Sequence, residues 1–254
     1  MPTLETWVFS LLAVGLRVAG LLSFAPFLGS ASIPARIRAG LAAALTAVLV
    51  PVVRLQPVPL TPSRLVLLVV HETVVGALLG LVVQFVFDGV ELAGQMAGLQ
   101  MGFSLETLID PQTLADTPVL AVLFQLAAVL IFLALDVHLW VLRAVVDSFH
   151  LLPPEPVLLS CASAGELLRL SAGLWVIGVE MAAPVLLATL AADVVLSFLT
   201  RLSPQLSALF LGLAVKNLLG YAVLVATVGL WPAVLERAFA RSLAAAVHLL
   251  RIAG

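Results

Sequence analysis

The sequence has very little charge and almost no cysteine or lysine. Of its 254 residues, 10% are charged and one is a cysteine, Cys161. One cysteine cannot form an internal disulfide, so a disulfide-bridged scaffold is excluded. The only lysine, Lys216, does not follow a G-x-x-x-x-G motif, which excludes a P-loop nucleotide site. With a net charge of −2, the chain also lacks the basic surface that nucleic-acid binding requires.

Motifs of metal-dependent and hydrolytic enzymes are also missing. His71-Glu72 is not followed by the second histidine of H-E-x-x-H. The His and Cys residues do not have the spacing of a metal site. Gly102-Phe103-Ser104 lacks the glycine that follows the serine in intramembrane serine proteases. We therefore predict that the chain is not an enzyme and uses neither a metal nor a cofactor.

Apolar residues make up most of the chain. They account for 63% of it, against about 45–50% in an ordinary soluble domain. Lipid offers no hydrogen bonds to the backbone, so a spanning segment must be a helix or part of a closed barrel. The runs are continuous and do not alternate with period two, which favours helices. The predicted fold is an all-α integral membrane protein with about six long apolar helices in a hairpin-like arrangement.

Six apolar runs define these helices. About 20 apolar residues cross a bilayer, and one of the runs, the second, is short for this. Arginines occur in two successive loops, at 36 and 38 and then at 54 and 64, so the positive-inside rule does not fix the orientation. The runs are Trp7–Leu28, Ala39–Val53, Leu65–Phe87, Pro118–Val146, Ser171–Ala192 and one from Pro204 to about Leu235.

An acidic, glycine-rich stretch covers residues 88–117 and contains neither lysine nor arginine. Gly94, Gly98 and Gly102 recur every four residues, which places them on one face if the segment is helical. Small residues at this spacing allow membrane helices to approach closely. The alternative is a hinge or a mobile loop. The residues alone do not decide between the two, and we treat 88–117 as a loop within the N-terminal region.

Isolated charges interrupt the apolar runs. Each costs roughly 2.5–3.5 kcal/mol at membrane depth unless it is paired or faces water. Adjacent residues diverge on a helix, so His71 and Glu72 are expected to point apart, as are Asp136 and His138. Partners must then come from other helices or other chains. The groups would either form a proton or ion path or join subunits through buried salt bridges, and we single out Arg17, Glu72, Asp136, Glu180, Arg201 and Lys216.

The C-terminal segment is predicted to be an amphipathic basic helix. Arg237, Arg241, His248 and Arg251 fall in one narrow wedge at about 100° per residue, and the apolar residues between them occupy other faces. Such a helix suits a membrane surface or an acidic partner. The alternative is a solvated turn that flanks a membrane helix.

Several segments, in order along the chain, together resemble one membrane protein family. Gly98–Ser104 with Asp110-Pro111 resembles it most, followed by Phe132–Trp140 and Val146–Pro153. The others are Ala25–Phe27, Ile33–Arg38, Ala183–Leu186 and Arg201–Leu206. The family is FliR, the export-gate subunit of flagellar type III secretion, called SctT in injectisomes. Val137 stands where the family often has glycine, and Asn217 is polar where an apolar residue is expected.

The resemblance implies partners and a location. FliR-like proteins assemble with FliP-like and FliQ-like membrane subunits into a pore for unfolded export substrates, and an FlhB-like subunit associates with it. Residues 1–160 would be the FliP-like part, and residues 161–254 the FliQ-like helical pair with the basic tail. The expected location is the bacterial inner membrane, in the flagellar basal body and in contact with lipid. The match over Asp147–Pro153 favours a flagellum over an injectisome.

The resemblance also implies a role for the loop and for the charges. The family's loop that matches Gly102–Pro118 lies in the pore and plugs the closed gate. We therefore predict a pore seal formed by Gly102, Phe103, Leu105, Leu108, Ile109, Asp110 and Pro111. The alternative is an exposed connection with no gating role. The six charges named above are candidates for pairing between subunits. The alternative function is a proton-coupled secondary transporter that uses Glu72, Asp136 and Glu180.

Overall fold

The structure is a computed structural model that describes residues 4–25, 34–53, 55, 61–103, 119–154, 161–202 and 208–253. Every regular element in these ranges is helical, and none is a strand. The helices are α1 (Leu4–Phe24), α2 (Ala35–Leu49), α3 (Pro62–Met101), α4 (Val119–Ala134), α5 (Val137–Leu151), α6 (Cys161–Leu202), α7 (Ala208–Thr227) and α8 (Trp231–Ala253). A 3-10 turn, Val228–Leu230, joins α7 to α8.

Four helical segments in the described ranges are long and apolar enough to cross a membrane: Glu5–Phe24, Pro62–Met101, Gly165–Arg201 and Gly212–Ile252. The consecutive helices α4 and α5 make a fifth if they are counted as one broken span. The chain is thus an all-α integral membrane protein, as predicted. The described ranges give four or five spans, so the predicted number of about six stays unconfirmed.

Prolines mark several helix ends. Pro34 immediately precedes α2, and Pro62 is the first residue of α3, where the missing N–H costs nothing. Pro153 follows the end of α5 by two residues. Pro184, in contrast, lies inside α6. Membrane helices tolerate such prolines because neighbouring groups satisfy the freed carbonyl.

The third helix is longer than predicted and corrects the loop prediction for residues 88–101. This segment is helical as far as Met101, and residues 104–118 lie outside the described ranges. A Cβ on Gly94 would overlap the backbone of Ala121 in α4, so the glycine allows the two helices to touch. Close helix packing is therefore confirmed at Gly94. At 1.5 Å per residue, the 40-residue α3 is about 60 Å long, twice the roughly 30 Å hydrocarbon core.

The fourth run, predicted as one helix, is broken between α4 and α5. Asp136 has φ 54° and ψ 26°, in the left-handed region. Aspartate enters this region more readily than most residues because its short side chain can bond locally. The residue that adopts the glycine-like conformation is therefore Asp136, one position before the Val137 that replaces the family's glycine.

The chain divides into two compact units. The first contains Met1–Phe85, Asp136–Ser171 and Phe239–Gly254, and the second contains Val86–Leu135 and Ala172–Ala238. In the first unit α1 packs on α2. In the second, the ring centroids of Phe124 and Trp231 lie 4.5 Å apart in the core. The predicted division after residue 160 rests on the family resemblance and stays a prediction.

Candidate functional site

A buried ion pair lies in the first unit. The Arg17 Nε atom of α1 donates to Glu72 Oε2 of α3 at 2.6 Å, and Arg17 Nη2 donates to Glu72 Oε1 at 2.9 Å. Both side chains are 0% exposed. Two parallel N–H···O bonds of this kind are the geometry in which a guanidinium binds a carboxylate most strongly. The pair therefore satisfies two charges that would otherwise be costly at membrane depth.

Arg17 also binds the end of α5. Its Nη1 atom donates to Ser148 Oγ at 2.8 Å, and Nη2 donates to the Leu152 carbonyl oxygen at 3.0 Å. The Phe149 ring lies 3.7 Å from the guanidinium carbon. The last carbonyls of a helix have no partner within the helix, so a cationic donor is favourable there. One side chain thus joins α1, α3 and α5.

Glycines bring α1 and α3 close enough for this pair. A Cβ on Gly76 would overlap the Arg17 carbonyl oxygen, and one on Gly20 would overlap the Thr73 carbonyl oxygen. Gly80 lies against Leu21 in the same way. Sequence reasoning missed these three glycines. The signal was the Gly76-x-x-x-Gly80 spacing within an apolar run, which is typical of close helix contacts.

His71 adds a further polar group to the cluster. Its Nδ1 atom lies 3.2 Å from Glu72 Oε1, so the expectation that the two side chains point apart is wrong. Similarly, His138 Nε2 lies 4.0 Å from Asp136 Oδ1, because Asp136 stands at the helix break and not on a regular helix. The His71 Nε2 atom is buried and has no hydrogen-bond partner in the described part of the chain.

These contacts correct the intersubunit prediction for Arg17 and Glu72. The two residues are 55 positions apart and satisfy each other within one chain. Asp136 is different, because its side chain is 68% exposed. Arg201 is also exposed, at the end of α6. For these last two residues, pairing between subunits stays a prediction.

A second polar cluster lies in the second unit. Lys216 Nζ of α7 is 2.5 Å from Asp193 Oδ1 of α6, and Gln100 Nε2 of α3 is 3.4 Å from Asp193 Oδ2. The next residue along the chain, Asn217, has a buried Oδ1 atom without a hydrogen-bond partner among the described residues. Lys216 therefore has a partner in its own chain. Glu180 has one as well, since Arg237 Nη2 of α8 lies 3.8 Å from its carboxylate.

The beginning of the predicted pore loop packs against α7. Gly102 has φ 91°, which ends α3, and the Phe103 ring meets the Tyr221 ring edge-on at a centroid distance of 6.1 Å. Gly220 makes room for Met101, whose sulfur would meet any added Cβ. The remaining predicted seal residues, Leu105, Leu108, Ile109, Asp110 and Pro111, lie outside the described residues.

Comparison with known proteins identifies a family. The family model described as "Bacterial export proteins, family 1" matches residues 8–242. The "Flagellar biosynthetic protein FliR" of Escherichia coli is 35% identical over 217 residues, which cover 83% of this chain and 81% of that protein. The protein of the same name from Pectobacterium carotovorum is 30% identical over 92% of this chain and 89% of its own length. That of Bacillus subtilis is 26% identical over 96% and 95%. The chain therefore belongs to family 1 of the bacterial export proteins, the FliR family.

Proposed function

We propose that this chain is a subunit of the flagellar export gate. In this proposal it assembles with FliP-like and FliQ-like membrane proteins into a pore for unfolded export substrates, next to an FlhB-like subunit, in the bacterial inner membrane. As a family member it is a component of the flagellar export apparatus. The observation that carries the proposal is the family match, which runs from residue 8 to residue 242.

The surface of α6 supports assembly with other proteins. Apolar side chains on it are exposed from Leu168 to Phe198. At 1.5 Å per residue, these thirty steps extend about 45 Å along the helix. The hydrocarbon core is only about 30 Å thick. Lipid alone does not cover a stripe of this length unless the helix is strongly tilted, and neighbouring subunits would cover the rest.

The alternative, a proton-coupled transporter, has less support. Its carboxylate Glu72 accepts two hydrogen bonds from Arg17 in a cluster that water does not reach. The other two carboxylates, Asp136 and Glu180, are substantially exposed. A carboxylate bound in this way on both oxygens is poorly placed to pass protons.

The test of assembly is co-expression with FliP- and FliQ-like proteins, followed by purification through a tag on this chain. We expect a stable complex. The Leu190→Arg variant should lose these partners while it remains in the membrane, because Leu190 lies on the exposed stripe of α6. The matched control is Leu190→Met, which keeps an apolar side chain at the same position and should retain the partners. Failure of the wild-type chain to co-purify, together with proton flux through the chain alone in liposomes, would support the transporter.

From the resemblance we further propose that the loop beginning at Gly102 and Phe103 plugs the closed pore. Removing part of residues 104–118 should then make the assembled gate leaky to small ions. The measurement is the ion permeability of membranes that contain the complete complex. Unchanged permeability with intact assembly would leave the loop as a simple connection.

A further inference from the structure

The C-terminal part of α8, from residue 239 onward, buries its apolar face within the chain. Phe239, Leu243, Ala246, Leu249 and Leu250 are all buried within the chain. A helix that binds a membrane surface does so by inserting its apolar face among the lipids. That face is not free here. The membrane-surface alternative for the tail therefore loses its main source of binding energy.

The opposite face of the same segment is basic and exposed. Arg241, Ala244, His248 and Arg251 fall within a wedge of about 80° at 100° per residue, and all four are exposed. In the part of the chain that the structure describes, the three basic side chains of this face make no ion pair or hydrogen bond. We call these four residues the basic face of α8.

The spacing of the two arginines fits a helical partner. Ten residues separate Arg241 from Arg251, which is about 15 Å at 1.5 Å per residue. Carboxylates ten or eleven residues apart on a neighbouring helix lie at the same separation. Ala244, between the arginines, leaves room for that helix to approach. Anionic lipid is a weaker match, because lipid-binding segments carry about four to eight basic residues and this face carries fewer.

We propose that the basic face of α8 binds an acidic helix of a partner protein, with carboxylates about three turns apart that pair with Arg241 and Arg251. Guanidinium groups suit this role because they bind carboxylates through two parallel hydrogen bonds. This binding surface is independent of the proposed pore, because it rests on the residues of α8 alone and does not depend on which substrate crosses the membrane.

The experiment places a photo-crosslinking amino acid at Ala244 in the full chain, expressed in cells that contain the complete export apparatus. We expect a crosslink to a protein whose crosslinked segment is helical and acidic. The double variant Arg241→Glu/Arg251→Glu should lower its yield about tenfold, because two attractive contacts become repulsive. Arg169→Glu, at an exposed arginine of α6, is the matched control and should leave the yield unchanged.

A compensating charge reversal in the partner protein tests whether the arginines pair directly with its carboxylates. Changing the two partner carboxylates to lysine should restore the crosslink to the Arg241→Glu/Arg251→Glu chain, which also shows that this chain is folded. A crosslink to lipid alone, a protein crosslink insensitive to the charge reversal, or a crosslinked segment without carboxylates would overturn the proposal. Co-purification with FliP- and FliQ-like proteins is measured on the same samples, so failure of the gate proposal is seen separately.

Discussion

Replacing Glu72 by glutamine should destabilise the chain severely although the side chain keeps its size. The substitution leaves the Arg17 guanidinium charged and fully buried, without the carboxylate that receives two of its hydrogen bonds. The bonds to Ser148 and to the Leu152 carbonyl oxygen remain, but neither acceptor carries a compensating charge. An uncompensated buried charge is therefore the dominant effect of Glu72→Gln.

The magnitude follows from measured costs of breaking buried pairs. Removing one partner of such a pair typically costs about 3–5 kcal/mol of unfolding free energy. Replacing both by apolar residues costs less, since no charge is then left behind. In Arg17→Met/Glu72→Leu the Leu152 carbonyl loses its donor, a penalty of about 1–3 kcal/mol. Ser148 keeps its own bond to the Val145 carbonyl oxygen. We therefore expect the double variant to be more stable than Glu72→Gln.

The assay is unfolding of the purified chain by denaturant in detergent, followed by loss of helical circular dichroism. Glu180→Gln is the matched control. Its partner Arg237 is 3.8 Å away and both side chains are largely exposed, so the loss should stay below about 1 kcal/mol after solvent screening. Two results would refute this prediction. The first is a Glu72→Gln loss of unfolding free energy as small as that of Glu180→Gln. The second is a loss in Arg17→Met/Glu72→Leu as large as the sum of the losses in Arg17→Met and Glu72→Leu measured separately.

Three further predictions concern backbone positions and the second cluster. Gly76→Ala should disrupt folding, because its Cβ would overlap the Arg17 carbonyl oxygen. Gly40→Ala, with open space around it, should instead stabilise the chain by about 1 kcal/mol through the higher helix propensity of alanine. Thermal unfolding in detergent compares the two variants. Asp136→Gly should be more stable than Asp136→Ala by about 1–2 kcal/mol, since φ is 54°; equal stabilities would contradict a left-handed residue here. Lys216→Met should lower the free energy of unfolding by about 1 kcal/mol, a modest loss because its partner Asp193 is 38% exposed. Denaturant unfolding measures this loss, and a value larger than that of Glu72→Gln would contradict the prediction that the fully buried pair matters more.

Composition and local signals were sufficient to predict the fold class. Continuous apolar runs indicated helices, and Pro34, Pro62 and Pro153 stand at helix ends as proline chemistry requires. The break at Asp136 was missed because its only local sign is a polar residue that tolerates φ > 0. The length of α3 was underestimated because acidic residues and glycines were treated as signs of a loop, whereas Gly94 packs against another helix.

Most of the candidate site could not be predicted from the sequence. Periodicity shows which face of a helix a residue occupies, but not which other helix lies opposite. Arg17 and Glu72 are separated by 55 positions, and Arg17 and Leu152 by 135. Arg17 binds the backbone carbonyl of Leu152, and because every residue has such a carbonyl, the residue type gives no sign of this contact. Sequence reasoning identified both charges as anomalies and expected their partners on other helices or other chains, but it could not name them and listed both residues as candidates for pairing between subunits.

The pairing of Arg17 with Glu72 also fixes how α1 and α3 are aligned. The Arg17 carbonyl oxygen lies against Gly76, and the Arg17 guanidinium reaches Glu72, one helical turn earlier on α3. A shift of α1 by one turn would therefore press a larger residue against its backbone and separate the charges at the same time. Buried polar pairs can set such a register even where they add little stability. Because Arg17 and Glu72 neutralise each other within the first unit, neither needs a charged partner from a neighbouring protein, and the contacts proposed above lie on exposed surfaces, the apolar stripe of α6 and the basic face of α8.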